Sequence, residues 1–313
     1  MSYRVRWFMI FLWICTINTL YGAPVKFFSV NALYGISQRV TYSICKDSNG
    51  FIWASSRTGI IRLTKYDYHL YQLPYESVDN ITVKMMVGNG QLIAYTNNGQ
   101  IFIYNRIKDR FDLRVNLSKI LNIKLLSLNK LLVDPSGVFW IALSTGIYSY
   151  RSGELTQVME MGSERYSMAW MDKEELIITM SNGICLFNTH SLKLDQLYQD
   201  NTLAPFQVSS ILLTRDKSRL WLGTMSDGLF LFDFQTRNMS RILPASFPRQ
   251  PILDIEEDAD ASLMIGVDGQ GIWKLDKTGN RILDVYKENA DDPFSLPGNG
   301  VYDIFCDDDH RVW

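Results

Sequence analysis

DSNGFIWASSRTGIIRL, residues 47–63, reads as two short strands held between two turns. Asp47-Ser48-Asn49-Gly50 makes a tight turn, because Asp and Asn bond their own backbone and Gly tolerates positive φ. Phe51 to Ser55 follows as an aromatic and β-branched strand. Arg57-Thr58-Gly59 turns the chain again, and Ile60 to Leu63 returns as the next strand. A single hairpin is marginal in water, so this unit needs copies of itself.

The copies are present. Aligned on the glycine of the second turn they are TNNGQIFIY at Gly99, LSTGIYSY at Gly146, MSNGICLF at Gly183, GTMSDGLFLF at Gly228 and GVDGQGIWKL at Gly271. From Gly59 onward the spacings run from 37 to 47 residues, the period of a four-stranded propeller blade. The upstream half recurs too, in VDPSGVFWIA around Trp140, RDKSRLWLGT around Trp221 and CDDDHRVW ending at Trp313. Trp313 lies 260 residues after Trp53, a distance of six repeats.

The fold expected is therefore all-β, a seven-bladed β-propeller whose last blade is incomplete in this chain. The strands opening each repeat are expected at Thr41–Cys45, Val83–Val87, Leu128–Val133, Tyr166–Met171, Val208–Leu213, Ile252–Glu256 and Val301–Cys306. Phe27–Val30 is expected to be the outer strand of the blade beginning at Val301, closing the ring as propellers do. The chain then reads as a fragment of a longer protein, and about 30 further residues would complete the ring.

Residues 1–22 carry Arg4 and Arg6 ahead of a short apolar run and small residues at Gly22 and Ala23, which fits a secretory signal peptide. A short anchor helix is the alternative, though the run falls short of the ~20 apolar residues that span a bilayer. Residues 23–313 form the propeller, outside the cytoplasm in either case. With 47% hydrophobic and 20% charged residues a large core is affordable, and a net charge of −2 gives no reason to expect nucleic-acid contact. Cys45, Cys185 and Cys306 remain after the signal. An odd number without metal-ligand spacing argues for buried thiols rather than a disulfide framework, although Cys45 and Cys306 lie near each other in the repeat.

YGISQRVTYSICKDSNGFIWASSRTGIIRL and its echo GNGVYDIFCDDDHRVW resemble the two-component regulator propeller repeat. That repeat typifies the exported sensor half of hybrid two-component regulators in Gram-negative gut bacteria. The resemblance covers residues 27 to 313. It implies seven-bladed propellers, usually two in series, then a β-sandwich, a membrane helix, a histidine kinase, a receiver and a DNA-binding domain. It also implies an oligosaccharide ligand derived from dietary or host glycans, a periplasmic location, an inner-membrane full-length protein and a homodimer. The chain departs from the pattern at Ile93 and Ile177, where Trp is lost, and at His310-Arg311, which replaces a Gly-Phe pair.

Chemistry within the chain looks sparse. Glu174-Glu175, Glu256-Glu257-Asp258 and Asp307-Asp308-Asp309 fall in expected turns, where carboxylates are solvated. His69, His190 and His310 are scattered, and no Ser-His-Asp or Cys-His order is visible. No catalytic residue, metal or cofactor is expected. The Asp-x-x-Gly-x-x-Trp spacing at Asp47 and Asp134 differs from the Asp box of sialidase propellers, whose Asp stands two residues before Gly. Loops entering the first strand and loops joining the second to the third reach one face of a propeller. On that basis Arg39, Arg57, Asn98, Asn182, Asp227 and Arg249 are candidate ligand contacts, with Trp170 added beside them. Amides and guanidinium groups suit sugar hydroxyls and carboxylates, and Trp170 offers an aromatic face. The function expected is glycan sensing that controls glycan-use genes, against a secreted polysaccharide lyase or glycoside hydrolase, or a protein-interaction scaffold.

Overall fold

The structure, a computed structural model, describes residues 25–36, 40–78, 81–162, 166–180, 183–199, 207–242, 244–307, 309 and 311–313. The expected signal segment, Arg39 and Asn182 lie outside them.

Six antiparallel four-stranded sheets follow one another, each a simple meander. Blade 1 comprises β1 (Thr41–Lys46), β2 (Ile52–Ser56), β3 (Gly59–Leu63) and β4 (Tyr68–Tyr71). Blade 2 comprises β5 (Val83–Gly88), β6 (Gln91–Thr96), β7 (Gln100–Asn105) and β8 (Arg110–Asn116). Blade 3 runs through β9 (Leu128–Val133), β10 (Phe139–Leu143), β11 (Gly146–Arg151) and β12 (Glu154–Glu160). Blade 4 holds β13 (Ser167–Trp170), β14 (Glu175–Met180), β15 (Gly183–Asn188) and β16 (Leu194–Gln199). Blade 5 holds β17 (Val208–Leu213), β18 (Arg219–Thr224), β19 (Leu229–Asp233) and β20 (Asn238–Ile242). Blade 6 holds β21 (Ile252–Glu257), β22 (Leu263–Val267), β23 (Gly271–Leu275) and β24 (Ile282–Tyr286).

The blade count corrects the expectation: the described residues form six blades, not seven with an incomplete last one. Val301–Cys306 forms no strand, and among the described residues the segment to Trp313 carries one isolated bridge, Cys306 to Val312. A lone short pair without further partners does not extend into a sheet. This segment is nevertheless packed. Ile304 and Cys306 sit against Met264 and Ile272 of blade 6, while Phe305 and Trp313 sit against Ile52 and Ile61 of blade 1.

Phe27–Val30 is the second correction. The Phe27 N–H donates to the Phe294 carbonyl (2.8 Å), and the Phe27 ring stacks edgewise on Tyr286 of β24. Val30 already belongs to a helical turn, α1 (Val30–Tyr34), capped by the Ser29 side chain and ended by Gly35 at φ 65°. An N-cap serine and a left-handed C-terminal glycine favour a helical turn over an extended strand.

Between blades lies a chain of apolar clusters, one per junction. Trp53, Ile60 and Tyr71 of blade 1 meet Phe102 and Phe111 of blade 2. Trp140 and Ile147 of blade 3 meet Ile178 and Phe187 of blade 4. Trp221 and Leu229 of blade 5 meet Ile255 and Ile265 of blade 6. The repeated Trp is thus packing material between sheets, and Ile93 and Ile177, which replace it, are as fully buried.

The repeat's two signature residues have identifiable physical causes. Asp47 Oδ1 accepts from the Asn49 and Phe51 amides (2.8 and 3.1 Å), and its Oδ2 accepts from Trp53 Nε1 (2.9 Å). Asp134 does the same for Ser136, Val138 and Trp140, and Asp307 for Asp309, Arg311 and Trp313. One carboxylate therefore closes the turn and satisfies the buried indole, which explains the Asp-x-x-Gly-x-x-Trp spacing. Asp307, expected in a solvated run, is buried for this reason. In blade 5 the turn is one residue longer and Thr214 follows the inner strand, so the buried Trp221 Nε1 has no partner. Blade 6 keeps the acid and loses the indole; Lys274 Nζ takes its place at Asp258 Oδ2 (2.8 Å). The second signature is the glycine that opens the third strand. A Cβ at Gly59, Gly146, Gly183 or Gly271 would collide with the carbonyl oxygen of Tyr71, Met159, Tyr198 or Tyr286 on the outer strand. Cys45, Cys185 and Cys306 are free thiols.

Candidate functional site

The meander order alternates the turns between two faces. Turns joining second to third strands, and loops entering first strands, share one face; the Asp-containing turns and the third-to-fourth turns share the other. Four candidate contacts lie on the first face: Arg57 between β2 and β3, Asn98 between β6 and β7, Asp227 between β18 and β19, and Arg249 before β21.

Their surroundings divide them. Arg57 and Arg249 are exposed. Asn98 Oδ1 accepts from Thr96 Oγ1 (2.6 Å) and Gln100 Nε2 (3.1 Å), so it serves its own turn. Asp227 accepts from Ser226 Oγ (2.7 Å), and its carbonyl accepts from Arg241 Nε (2.7 Å). Trp170 is not with them. It ends β13 at the Asp-turn face, where it lines an open groove of about 1070 Å³. Asn89, Pro135, Asp172, Lys173, Asn188 and Lys217 complete much of that groove, drawn from blades 2 to 5.

A third constellation lies on the first strands of the blades and on the segment after blade 6, and sequence reasoning missed it. Asp303 Oδ2 accepts from the Ile44 N–H of β1 (2.6 Å), and Asp254 Oδ2 accepts from the Ile304 N–H (2.8 Å). Ser210 Oγ of β17 donates to Asp254 Oδ1 (3.2 Å). Two carboxylates thus stitch blade 5 to blade 6, blade 6 to residues 301–306, and that segment to blade 1. Glu256 lies nearby on β21, while Lys84 on β5 and Lys130 on β9 come from blades 2 and 3 across the ring. Among the described residues no ion pair joins these lysines to the three acids.

The electrostatics follow from that crowding. Burial, then repulsion from Asp254 and Asp303, pushes Glu256 up to about 8. Burial, then Asp254, pushes Asp303 up to about 7, with the Ile44 amide opposing. Asp254 is raised by burial. Lys130 is lowered by burial and by Lys84. Desolvation outweighs attraction when opposite charges stand apart rather than paired. A usable signal was present in the sequence: the third residue of each inner strand, otherwise apolar, is polar at Ser43, Lys130, Ser210, Asp254 and at Asp303 of the seventh repeat.

The comparisons agree with this architecture. Residues 34–58 match the family model described as two component regulator propeller. No curated protein matches the sequence. Among solved structures, the extracellular domain of a hybrid two component system of B. thetaiotaomicron is 19% identical with a TM-score of 0.71, over 93% of this chain and 38% of that one. A second such domain from the same organism is 18% identical with a TM-score of 0.69, over 93% and 40%. A catalytically inactive virginiamycin B lyase of Staphylococcus aureus, solved with quinupristin, is 15% identical with a TM-score of 0.63, over 78% and 83%. The chain spans about two fifths of the length of those two extracellular domains. At these identities the likeness shows the fold, and the fold is shared with an enzyme. Among the described residues no helix is long and apolar enough to cross a membrane. The chain carries the two-component regulator propeller repeat and has the propeller fold seen in the extracellular domains of hybrid two-component systems.

Proposed function

We propose that this chain is the extracytoplasmic ligand-sensing region of a hybrid two-component regulator, binding a glycan-derived oligosaccharide and reporting it to a kinase elsewhere in the same protein. The observation that carries this is the pairing of the two-component regulator propeller match at residues 34–58 with a propeller fold like that of the two extracellular domains. The chain holds the oligosaccharide without turning it over. In the full-length protein a β-sandwich and a membrane helix in the inner membrane would carry the signal from the periplasm to a homodimeric kinase.

A lyase or hydrolase is the second reading, favoured by the likeness to the virginiamycin B lyase. Against it, two of the three acids gathered on the inner strands are tied to backbone amides across blade junctions. Asp303 and Asp254 each hold an N–H across a junction, an arrangement for building the ring. In the parent bacterium, deleting the coding sequence for residues 25–313 should abolish induction of the glycan-use genes that the regulator controls. Unchanged induction by the cognate oligosaccharide would refute the sensing role.

A further inference from the structure

The groove on the Asp-turn face differs in chemistry from the opposite face. Its volume of about 1070 Å³ lies just above the roughly 300–1,000 Å³ of small-molecule sites. Trp170 is half-buried: it packs on the apolar cluster between blades 3 and 4 that contains Leu132 and Leu176, and it also lines the groove. A held indole is a ready platform, since an aromatic face pairs apolar surface with little conformational freedom to lose.

The polar wall is mixed in sign. Lys173 and Lys217 stand beside Asp172, Glu174 and Glu175. Asp172 Oδ1 is committed to the Glu174 and Glu175 amides (2.8 and 2.9 Å), and Asn188 Oδ1 to the amides of His190 and Ser191 (3.1 and 2.8 Å). These bonds fix the two turns that form the rim and leave the Asn188 amide group and the lysine ammonium groups as donors. With Asp134 also on the lining, two cations against four anions give no positive field to hold a polyanion. Hydroxyl groups, which donate and accept equally, match such a wall better than sulfates or uronates do.

Building on the sensing role proposed above, we infer that the ligand seat is this groove, with Trp170 as its platform, and that the ligand is a short neutral oligosaccharide. Arg57 and Arg249, on the other face, are then not ligand contacts.

The test is a titration of the protein, followed by tryptophan fluorescence and calorimetry. One panel holds neutral gluco-, manno-, galacto- and xylo-oligosaccharides of two to four units; the other holds sulfated and uronate-containing ones. A neutral saccharide should bind. Trp170→Ala should weaken it at least tenfold, whereas an Arg57→Ala/Arg249→Ala double variant should leave it unchanged. Should Trp170→Ala fail to fold, a Lys173→Ala/Glu174→Ala variant, altering only exposed side chains, decides by a several-fold loss with an unchanged thermal midpoint. A saccharide that binds regardless of the groove variants overturns the groove and leaves the sensing role standing. Binding confined to the anionic panel overturns the neutral-ligand assignment. Binding of nothing in either panel overturns both the groove and the glycan reading.

Discussion

Removing the Asp47 carboxylate is the sharpest probe of how this ring is held together. Asp47→Ala strands three donors at once: the Asn49 and Phe51 amides and the Trp53 indole N–H. Trp53 is fully buried, so water cannot reach its stranded N–H, a cost of about 1–3 kcal/mol. The turn amides can rehydrate in part, adding about 0.5–1 kcal/mol each. The expected loss is about 2–5 kcal/mol, read from urea denaturation followed by tryptophan fluorescence. Blade 5 supplies an internal control, because Trp221 Nε1 is buried without a partner. Trp53→Phe leaves Asp47 Oδ2 short of a donor, whereas Trp221→Phe breaks no hydrogen bond. The first should therefore cost about 1–2 kcal/mol more than the second. A loss below about 0.5 kcal/mol for Asp47→Ala, or equal losses for the two Phe variants, would refute the structural role of the Asp–Trp pair.

Three other outcomes follow from the same structure. Trp53→Ala should cost about 3–5 kcal/mol, because it empties the junction between blades 1 and 2, and unchanged thermal stability would contradict that placement. Gly146→Ala should destabilise by more than about 1 kcal/mol, since its Cβ would meet the Met159 carbonyl at φ 145°; an unaltered midpoint would show that the outer strand yields freely. Glu256 and Asp303 bind protons more tightly folded than unfolded, with folded values of about 8 and about 7. Their stabilising protonation is complete below the unfolded carboxylate range and is lost as pH rises through 7 to 8, so stability should fall from pH 6 to pH 9. Glu256→Gln should flatten that slope, and a wild-type midpoint independent of pH would sink the assignment.

Much of the ring was legible because its repeat is written in residues with narrow physical roles. Glycine marks the second turn at Gly59, Gly146, Gly183 and Gly271 because a Cβ there meets an outer-strand carbonyl, and Trp53, Trp140 and Trp221 mark junctions because they fill the wedge between sheets. The inner strands Leu128–Val133 and Val208–Leu213 came out with their full bounds. The two ends were less readable. Phe27–Val30 has strand composition, but Ser29 and Gly35 set a capped turn there, and such short-range capping outweighs four residues of propensity. Val301–Cys306 repeats the inner-strand pattern, yet among the described residues its strand pairing is a single bridge to Val312, and pairing is what makes a strand. In the candidate site, Arg57, Asn98, Asp227 and Arg249 were placed on one face by counting turns. Trp170, offered as an aromatic face beside them, ends an inner strand and lies on the opposite face. The carboxylates joining blade 6 to blade 1 were hidden because their partners are backbone amides 50 and 259 residues away in sequence.

The central claim, that this propeller holds an oligosaccharide without transforming it, is tested most directly by calorimetry on the purified protein with chromatographic analysis of the same mixtures afterwards. The account predicts saturable heat with one saccharide class and recovery of that saccharide intact. Recovery of cleaved or unsaturated products, or no heat with any saccharide, would contradict it.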